Sequence, residues 1–456
     1  MANAALPVVV IGAGLTGLTT AVGLGGAGRA VLVLELADRP GGVLRSRRSD
    51  GFLAEDSANS MMIKTREVED FIGRLGLNDR LVDSNPVARK RYMMRDGRVL
   101  AMPMSAGQAL STPLYSGRAK LRLLAEPFVR RAPAGGDECV AGFVRRRLGP
   151  ELLDYGIAPL AAGIFAGDPE RLSMRYAFPK VWNLEASYGS LTGGAVKRMR
   201  EMKRRGEARY KSRVVSFRDG LQTLTDALAR RLGGDLKLGA RLRSLRPAAD
   251  GWQVDWADAL GDHQLQAAAI ACTVPLPALG QLPWTDDLRE TCAAVPVPPH
   301  PPVTVLSLGY RREQVAHPLD GFGMLAPPVE NRRILGAIFC STLFPDRAPD
   351  GHVLLMVFMG GATRPELASP EAPEAVRVAG EELGELFGVG GAPVFVHHRH
   401  WPAAIPQYDL GHGQLLGALE SVEAHWPGLY LAGNYRGGPG INDCVVNGLA
   451  LARRLA

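Results

Sequence analysis

The chain opens on a run of four β-branched residues, Val8-Val9-Val10-Ile11, stopped by a glycine. A short unbroken apolar run ended by a turn residue predicts a strand buried on both faces of a parallel sheet. Leu15 to Gly28 follows as a helix of small residues, and Ala30-Val31-Leu32-Val33-Leu34 as a second buried strand, making a βαβ unit. The middle changes character. From Pro103 to Arg205, Leu, Ala and Arg recur at helical spacing, as in Leu114 to Arg131, where Leu121, Leu123, Leu124 and Phe128 lie among Arg118, Lys120, Arg122, Arg130 and Arg131. That predicts a mostly helical insertion, closed by the basic segment Lys197 to Arg213 as a solvated helix or loop. Strand patterns return at Trp252-Gln253-Val254-Asp255-Trp256, Val303 to Leu308, Ile334 to Phe339 and Leu354 to Met359, as expected of an antiparallel or mixed sheet. Near the end, a strand at Leu429 to Ala432, a glycine cluster and a helix from about Asn442 carry the chain back to its first domain.

Composition narrows the class. At 456 residues the chain exceeds what one core organises, and about 150 residues per domain gives roughly three units. Hydrophobic residues at 46% and charged ones at 22% exclude a largely disordered chain, and 54 glycines without a three-residue period exclude collagen. No repeat of roughly 20–50 residues appears, which excludes a solenoid or propeller. The net charge of +7 suits an anionic ligand or an acidic lipid surface. Nucleic acid is not an expected partner, because the basic runs lack interleaved aromatic platforms. Five scattered cysteines without a CxxC point to a reducing, cytoplasmic setting and to neither disulfides nor a zinc ribbon. The uncharged run Pro7 to Gly28 is long enough to cross a bilayer, but it is glycine-rich and lacks a basic leader, so neither a membrane span nor a secretory signal is expected.

Candidate chemistry starts at Gly12-Ala13-Gly14-Leu15-Thr16-Gly17, a GxGxxG directly between strand and helix. Gly12 permits the tight turn, Gly14 admits a pyrophosphate, and Gly17 allows close helix–strand packing, while the helix N-terminus offers unpaired N–H donors. Glu35, followed by Leu36, ends the second strand, where an acid accepts hydrogen bonds from a ribose and disfavours a 2′-phosphate. FAD and NAD both fit this unit alone. Asp38-Arg39-Pro40-Gly41-Gly42-Val43-Leu44-Arg45-Ser46 then supplies a second close-approach loop, suited to a cofactor larger than the ADP half, and Gly433 to Gly440 a third backbone surface.

R-P-G-G-x-x-x-S after the βαβ unit resembles the flavin-dependent amine oxidase superfamily. Gly163-Ile164-Phe165-Ala166-Gly167-Asp168-Pro169-Glu170-Arg171-Leu172-Ser173 with Ala177-Phe178-Pro179, then Trp401-Pro402-Ala403-Ala404-Ile405-Pro406-Gln407-Tyr408, and Gly440-Ile441-Asn442-Asp443-Cys444 are similar to segments of the protoporphyrinogen oxidase family, which includes the related coproporphyrinogen III oxidases. The resemblance runs from about residue 7 to the C-terminus. It departs where Ser57-Ala58-Asn59-Ser60 replaces a Gly-Pro loop and where Pro439 replaces Val or Ile. It implies an α/β (α+β overall) fold: a Rossmann-like FAD-binding domain from 1–85, 206–272 and 401–456, a discontinuous mixed-sheet substrate domain from 86–102 and 273–400, and a helical insertion at 103–205.

The implied activity is FAD-dependent oxidation of protoporphyrinogen IX by oxygen, six electrons in three flavin turnovers, with peroxide formed. The alternatives are coproporphyrinogen III as substrate, a flavin amine oxidase, or a porphyrin-binding flavoprotein without turnover. Because the flavin does the chemistry, no protein nucleophile is demanded, and neither G-x-S-x-G nor H-E-x-x-H occurs. By position, the resemblance implies flavin contacts at Gly12 to Gly17, Glu35, Leu36, Gly42, Val43, Ser57, Ala58, Asn59, Ser60, Leu242, Trp401, Pro439, Gly440 and Ile441. It implies substrate contacts at Arg91, for a carboxylate, with Arg89, Lys90 and Arg95 as competitors, and at Phe322, Gly323 and Leu325, with Phe358 a further candidate. Cys444 invites a covalent flavin link but suits a buried structural thiol better. His397, His398 and His400 fall on an expected strand, His398 and His400 on one face and His397 on the other, with no carboxylate completing a site nearby, so no metal is expected. Met102, Met104, Leu110, Leu114 and Tyr115, beside the basic Leu/Arg stretch, suit peripheral docking on an anionic membrane. A monomer or homodimer is expected.

Overall fold

The computed structural model describes residues 6–132, 135–206 and 210–456. Val8–Ile11 lies at the centre of a five-stranded sheet, between Val31–Leu34 and Ala269–Cys272, with Leu236–Lys237 and Leu429–Leu431 at the edges. Every pairing in it is parallel. Its strands are apolar on both faces because both faces are covered. The opening helix Leu15–Gly26 and the closing helix Ile441–Leu455 lie on one side. A side chain at Gly448 would collide with Thr19, so the two helices meet almost backbone to backbone. The other side is covered by the antiparallel strands Arg241–Ala248, Gly251–Asp258 and Gly261–Ala267 and by the helix His412–His425.

The second unit is a seven-stranded mixed sheet, in the order Phe395–Trp401, Val303–Arg311, His352–Gly360, Gly336–Phe339, Gly321–Leu325, Lys90–Arg95 and Arg98–Ala101. One of its faces is sealed by the helix Ala372–Phe387, whose Ala375, Val378, Ala379, Leu383, Leu386 and Phe387 pack onto it. Between these units lie helices that include Val140–Arg147, Ala158–Phe165, Pro179–Tyr188 and Leu191–Arg204. Arg147 is fully buried there, paired with Glu126 at 3.1 Å and Glu185 at 2.9 Å. Removing one partner would leave an uncompensated interior charge, so this network holds the helices in one arrangement.

Three expectations are corrected. Within Leu114 to Arg131 the helix covers only Gly117–Leu124: Ser116 caps it by accepting from Ala119 N, and Pro127 sits in a separate 3₁₀ turn. Leu114 is buried rather than part of an outer apolar face, and the side chain of Leu110 lies outside the described residues. The boundary at 272 and 273 falls too early, since Leu276, Leu279, Trp284, Leu288, Cys292 and Val295 still pack with the nucleotide sheet. The basic segment Lys197 to Arg213 is, as expected, largely exposed helix, the end of Leu191–Arg204, with only Arg213 entering the strand Arg213–Phe217 and 207–209 outside the described residues.

Candidate active site

The glycine turn lies where the central strand meets the opening helix. A side chain at Gly17 would strike the Gly12 carbonyl and the Thr273 hydroxyl, so only glycine lets helix and strand meet this closely. Gly14 is the helix N-cap and faces open space, leaving its backbone accessible. Glu35 accepts from Ala13 N at 2.7 Å and Ala37 N at 2.8 Å, which aims its carboxylate at the same turn. The second loop docks onto the first: Gly41 N donates to Ala13 O at 2.8 Å, and Gly42 lies against Gly14. Arg39 holds that loop in shape, donating to Gly42 O at 2.7 Å and Pro40 O at 3.2 Å. Leu36 and Val43 are 62% and 51% exposed beside these backbones, an apolar rim a nucleotide would cover. Leu242 pairs with Trp256 in the antiparallel sheet, just beyond Ala240, whose N donates to Glu35 O.

Past the second loop, Ser57 donates to Val43 O at 3.0 Å, and Ala58 packs at the edge of the nucleotide core. Asn59 is buried, and its Nδ2 has no partner among the described residues. Such an orphaned donor costs free energy unless something accepts from it. Ser60 adjoins the strand Met61–Ile63, and from its far end Lys64 pairs with Asp443 at 2.8 Å. Gly440 caps the closing helix, so Pro439, Gly440 and Ile441 bring a helix N-terminus to this region. The donor set, the exposed apolar rim and the orphaned Asn59 fit FAD. Cys444 is buried and burial pushes its thiol up to about 11, which leaves it unactivated for a covalent link.

The unsealed face of the seven-stranded sheet carries the other expected residues. Opposite Arg91 the strand Gly321–Leu325 has one extra residue, because Gly321 pairs with Lys90 while Met324 pairs with Tyr92. Gly323, at φ +153° and against the Ala337 carbonyl, accommodates this bulge. As a result Phe322 turns to Arg91, whose guanidinium lies 4.7 Å from the ring centroid. Leu325 meets Gly163 of the helix Ala158–Phe165, which roofs this face. Phe358, with Ile338 and Trp401, belongs to the apolar cluster alongside. Thus Arg91, Phe322, Leu325, Phe358 and Trp401 are brought to one side of one sheet.

Of the competing cations, Lys90 is paired with Asp320, which also accepts from Tyr92, and Arg95 is paired with Glu151 and lies over Tyr155. Arg89 is exposed at the end of a 3₁₀ turn. Arg91 is partly buried with no carboxylate partner among the described residues, and burial lowers its pKa, the mark of a charge that lacks a counter-ion.

The histidines differ from expectation in one respect. His398 and His400 contact Ser369 O and the Thr304 hydroxyl, but His397 Nε2 lies 2.8 Å from the buried Asp56 carboxylate, distant in sequence. Burial alone would raise the Asp56 carboxyl; the hydrogen bond with His397, together with the nearby Arg47 and Arg399, outweighs it and holds the group below its ordinary value. Trp401 Nε1 donates to Asp56 O at 2.8 Å. Tyr408, at the end of the family-like segment from Trp401, has a hydroxyl that accepts from Gly438 N at 2.9 Å and donates to Asn434 O at 2.8 Å, fixing the third glycine turn. Arg39, Asp56 and the role of Tyr408 escape sequence reasoning because each acts through a backbone group or a distant partner.

Comparison with known proteins agrees with this geometry. The chain is 32% identical over 477 residues to the mitochondrial protoporphyrinogen oxidase of Nicotiana tabacum, covering 98% of this chain and 94% of that one. It is 25% identical to the coproporphyrinogen III oxidase of Bacillus subtilis (strain 168), covering 97% and 96%. A crystal structure of a protein from Exiguobacterium sp. 255-15, provisionally assigned to the protoporphyrinogen oxidases, superposes with a TM-score of 0.81 at 24% identity, covering 99% and 98%. Residues 15–456 match the family described as flavin containing amine oxidoreductase, and the chain belongs to that family as an FAD-dependent oxidoreductase.

Proposed function

We propose that the chain oxidises protoporphyrinogen IX to protoporphyrin IX, removing six electrons in three two-electron turnovers while three oxygen molecules become hydrogen peroxide. The observation that carries this reading is Arg91, a partly buried guanidinium with no carboxylate partner among the described residues, at the edge of an apolar face. A broad apolar macrocycle with propionates at one edge matches it: Arg91 grips a propionate, Phe322 and Phe358 meet the pyrrole rings, and Leu325 packs from the side of the roof. When bound, FAD supplies the hydride acceptor and is regenerated by oxygen. The residues do the positioning. Arg91 fixes the orientation of the macrocycle, the roof helix Ala158–Phe165 excludes water, and Asn59 with the glycine turns holds the cofactor. Coproporphyrinogen III carries four propionates and would draw on further cations, but Lys90 and Arg95 already have carboxylate partners. The similarity to the tobacco and Bacillus enzymes supports a porphyrinogen substrate in general.

Porphyrin fluorescence followed under air, with FAD-loaded protein offered both porphyrinogens in parallel, tests the choice. Faster oxidation of protoporphyrinogen IX is expected; a preference for coproporphyrinogen III, or no rate above autoxidation with either, contradicts it. A second reading concerns the membrane. No described helix is long and apolar enough to cross one. Yet Phe128 is 89% exposed, with Leu121, Leu124 and Met104 also exposed, among Arg118, Arg130 and Arg131. This patch suits peripheral docking on anionic lipid. Co-sedimentation with anionic vesicles, lost in Phe128→Asp, is the expected result.

A further inference from the structure

We propose that Asp56 and His397 form a positioning pair that fixes the Ser57–Ser60 loop against Trp401 and balances the charge beside the flavin. The inference rests on the reading that this loop and Trp401 line the FAD site.

Asp56 is only 2% exposed, and each of its polar functions is engaged by a different part of the site. Its N–H donates to Arg45 O at 2.9 Å, at the end of the second glycine loop. Its carbonyl accepts from the Trp401 indole at 2.8 Å, and its carboxylate meets His397 at 2.8 Å. His397 and Trp401 are four residues apart on the same strand and so share one face, with Arg399 between them lying 4.2 Å over the Trp401 ring. Farther along that face Phe395 stacks on Phe52 at 4.7 Å. A single edge of the substrate sheet is therefore joined to the nucleotide unit by a stacked ring pair, a carboxylate–imidazole hydrogen bond and an indole hydrogen bond, and the last two converge on Asp56.

The charges around the pair explain why both members are needed. Arg47 approaches Asp56 at 3.9 Å from a largely exposed position, Arg399 and Arg39 lie farther off, and beside it burial pushes the Glu55 carboxyl up to about 7. His397 is the only one of these neighbours in hydrogen-bond contact with the carboxylate among the described residues. Without it, the buried carboxylate would keep only the long, solvent-screened contact with Arg47 and the more distant arginines. Reduction places negative charge on a flavin, so an unbalanced carboxylate nearby opposes it. An uncompensated interior charge would also disturb the loop it anchors.

The test uses the FAD-loaded protein, with flavin midpoint potential and FAD dissociation constant as readouts. His397→Gln is expected to lower the potential and weaken FAD binding by roughly tenfold or more. Adding Asp56→Asn to it removes the stranded charge and is expected to return the potential towards that of the unmodified protein. A merely structural contact would instead make the double variant as poor as the single one or worse. That outcome, or an unchanged potential in His397→Gln, overturns the proposal. Asn59→Leu and Trp401→Phe test the underlying reading separately. If both leave FAD binding and the flavin spectrum unchanged, the loop is not the flavin site; if they alter them and His397→Gln does not, the pairing alone is wrong.

Discussion

The two faces of the seven-stranded sheet come from the same strands and differ only in which alternate residues they present. One face presents Tyr92, Met94, Leu306, Leu308, Met324, Phe339, Leu355 and Val357, and the helix Ala372–Phe387 closes it completely. The other presents Arg91, Phe322, Leu325, Phe358 and Trp401 to a roof helix that touches it at Leu325. Period-two alternation makes this division possible. Burial energy accounts for the closed face, whereas a partly buried guanidinium with no carboxylate partner among the described residues adds little to the fold and implies a ligand. A site is recognised here by what the fold leaves uncompensated.

The largest expected effect lies on the closed face. Phe339→Ala removes a fully buried ring and should cost about 3–5 kcal/mol in urea unfolding, while activity per folded molecule persists. On the open face the balance reverses. Arg91→Met should leave stability within about 1 kcal/mol, yet reduce kcat/KM by about ten- to a hundredfold, the worth of a charge-assisted hydrogen bond, mostly through KM. A large loss of stability in Arg91→Met would break the comparison. Phe322→Leu keeps bulk but loses the cation–π contact and ring stacking, and should raise KM about three- to fivefold.

The smallest effect concerns pH. His317 sits among Tyr92, Phe339 and Phe387 on the closed face, and burial lowers its pKa. The unfolded chain therefore takes up the proton first as pH falls. Stability present above the ordinary histidine value, about 6.5, is lost as pH drops through it, until the folded protein also protonates. Urea midpoints measured against pH should show this slope, and His317→Asn should flatten it.

What was legible in the sequence was whatever repeats or stays local. The unbroken run Val8–Ile11 gave away a covered parallel strand, and GxGxxG placed the glycine turn between strand and helix, since their physics lies within a few residues. The alternation around Leu354 marked a strand, and the family-like segments brought Arg91, Phe322 and Leu325 into view before their shared face was known. Which cation stayed free was not legible. Lys90 and Arg95 lose their availability to Asp320 and Glu151, and only the folded chain brings those acids near. The same holds for His397, whose carboxylate comes from Asp56 across the two units. Leu114 lies before the Ser116 cap and is buried, so the helical spacing of the stretch as a whole did not show which way it faces.

The most direct measurement is anaerobic mixing of the FAD-loaded protein with protoporphyrinogen IX, following loss of the oxidised flavin's visible absorbance, for the unmodified chain and for Arg91→Met. The account predicts rapid bleaching in the unmodified chain, and in the variant a weaker apparent affinity with a similar limiting rate. Bound FAD that stays oxidised in the unmodified chain, or an affinity indifferent to Arg91, would contradict it.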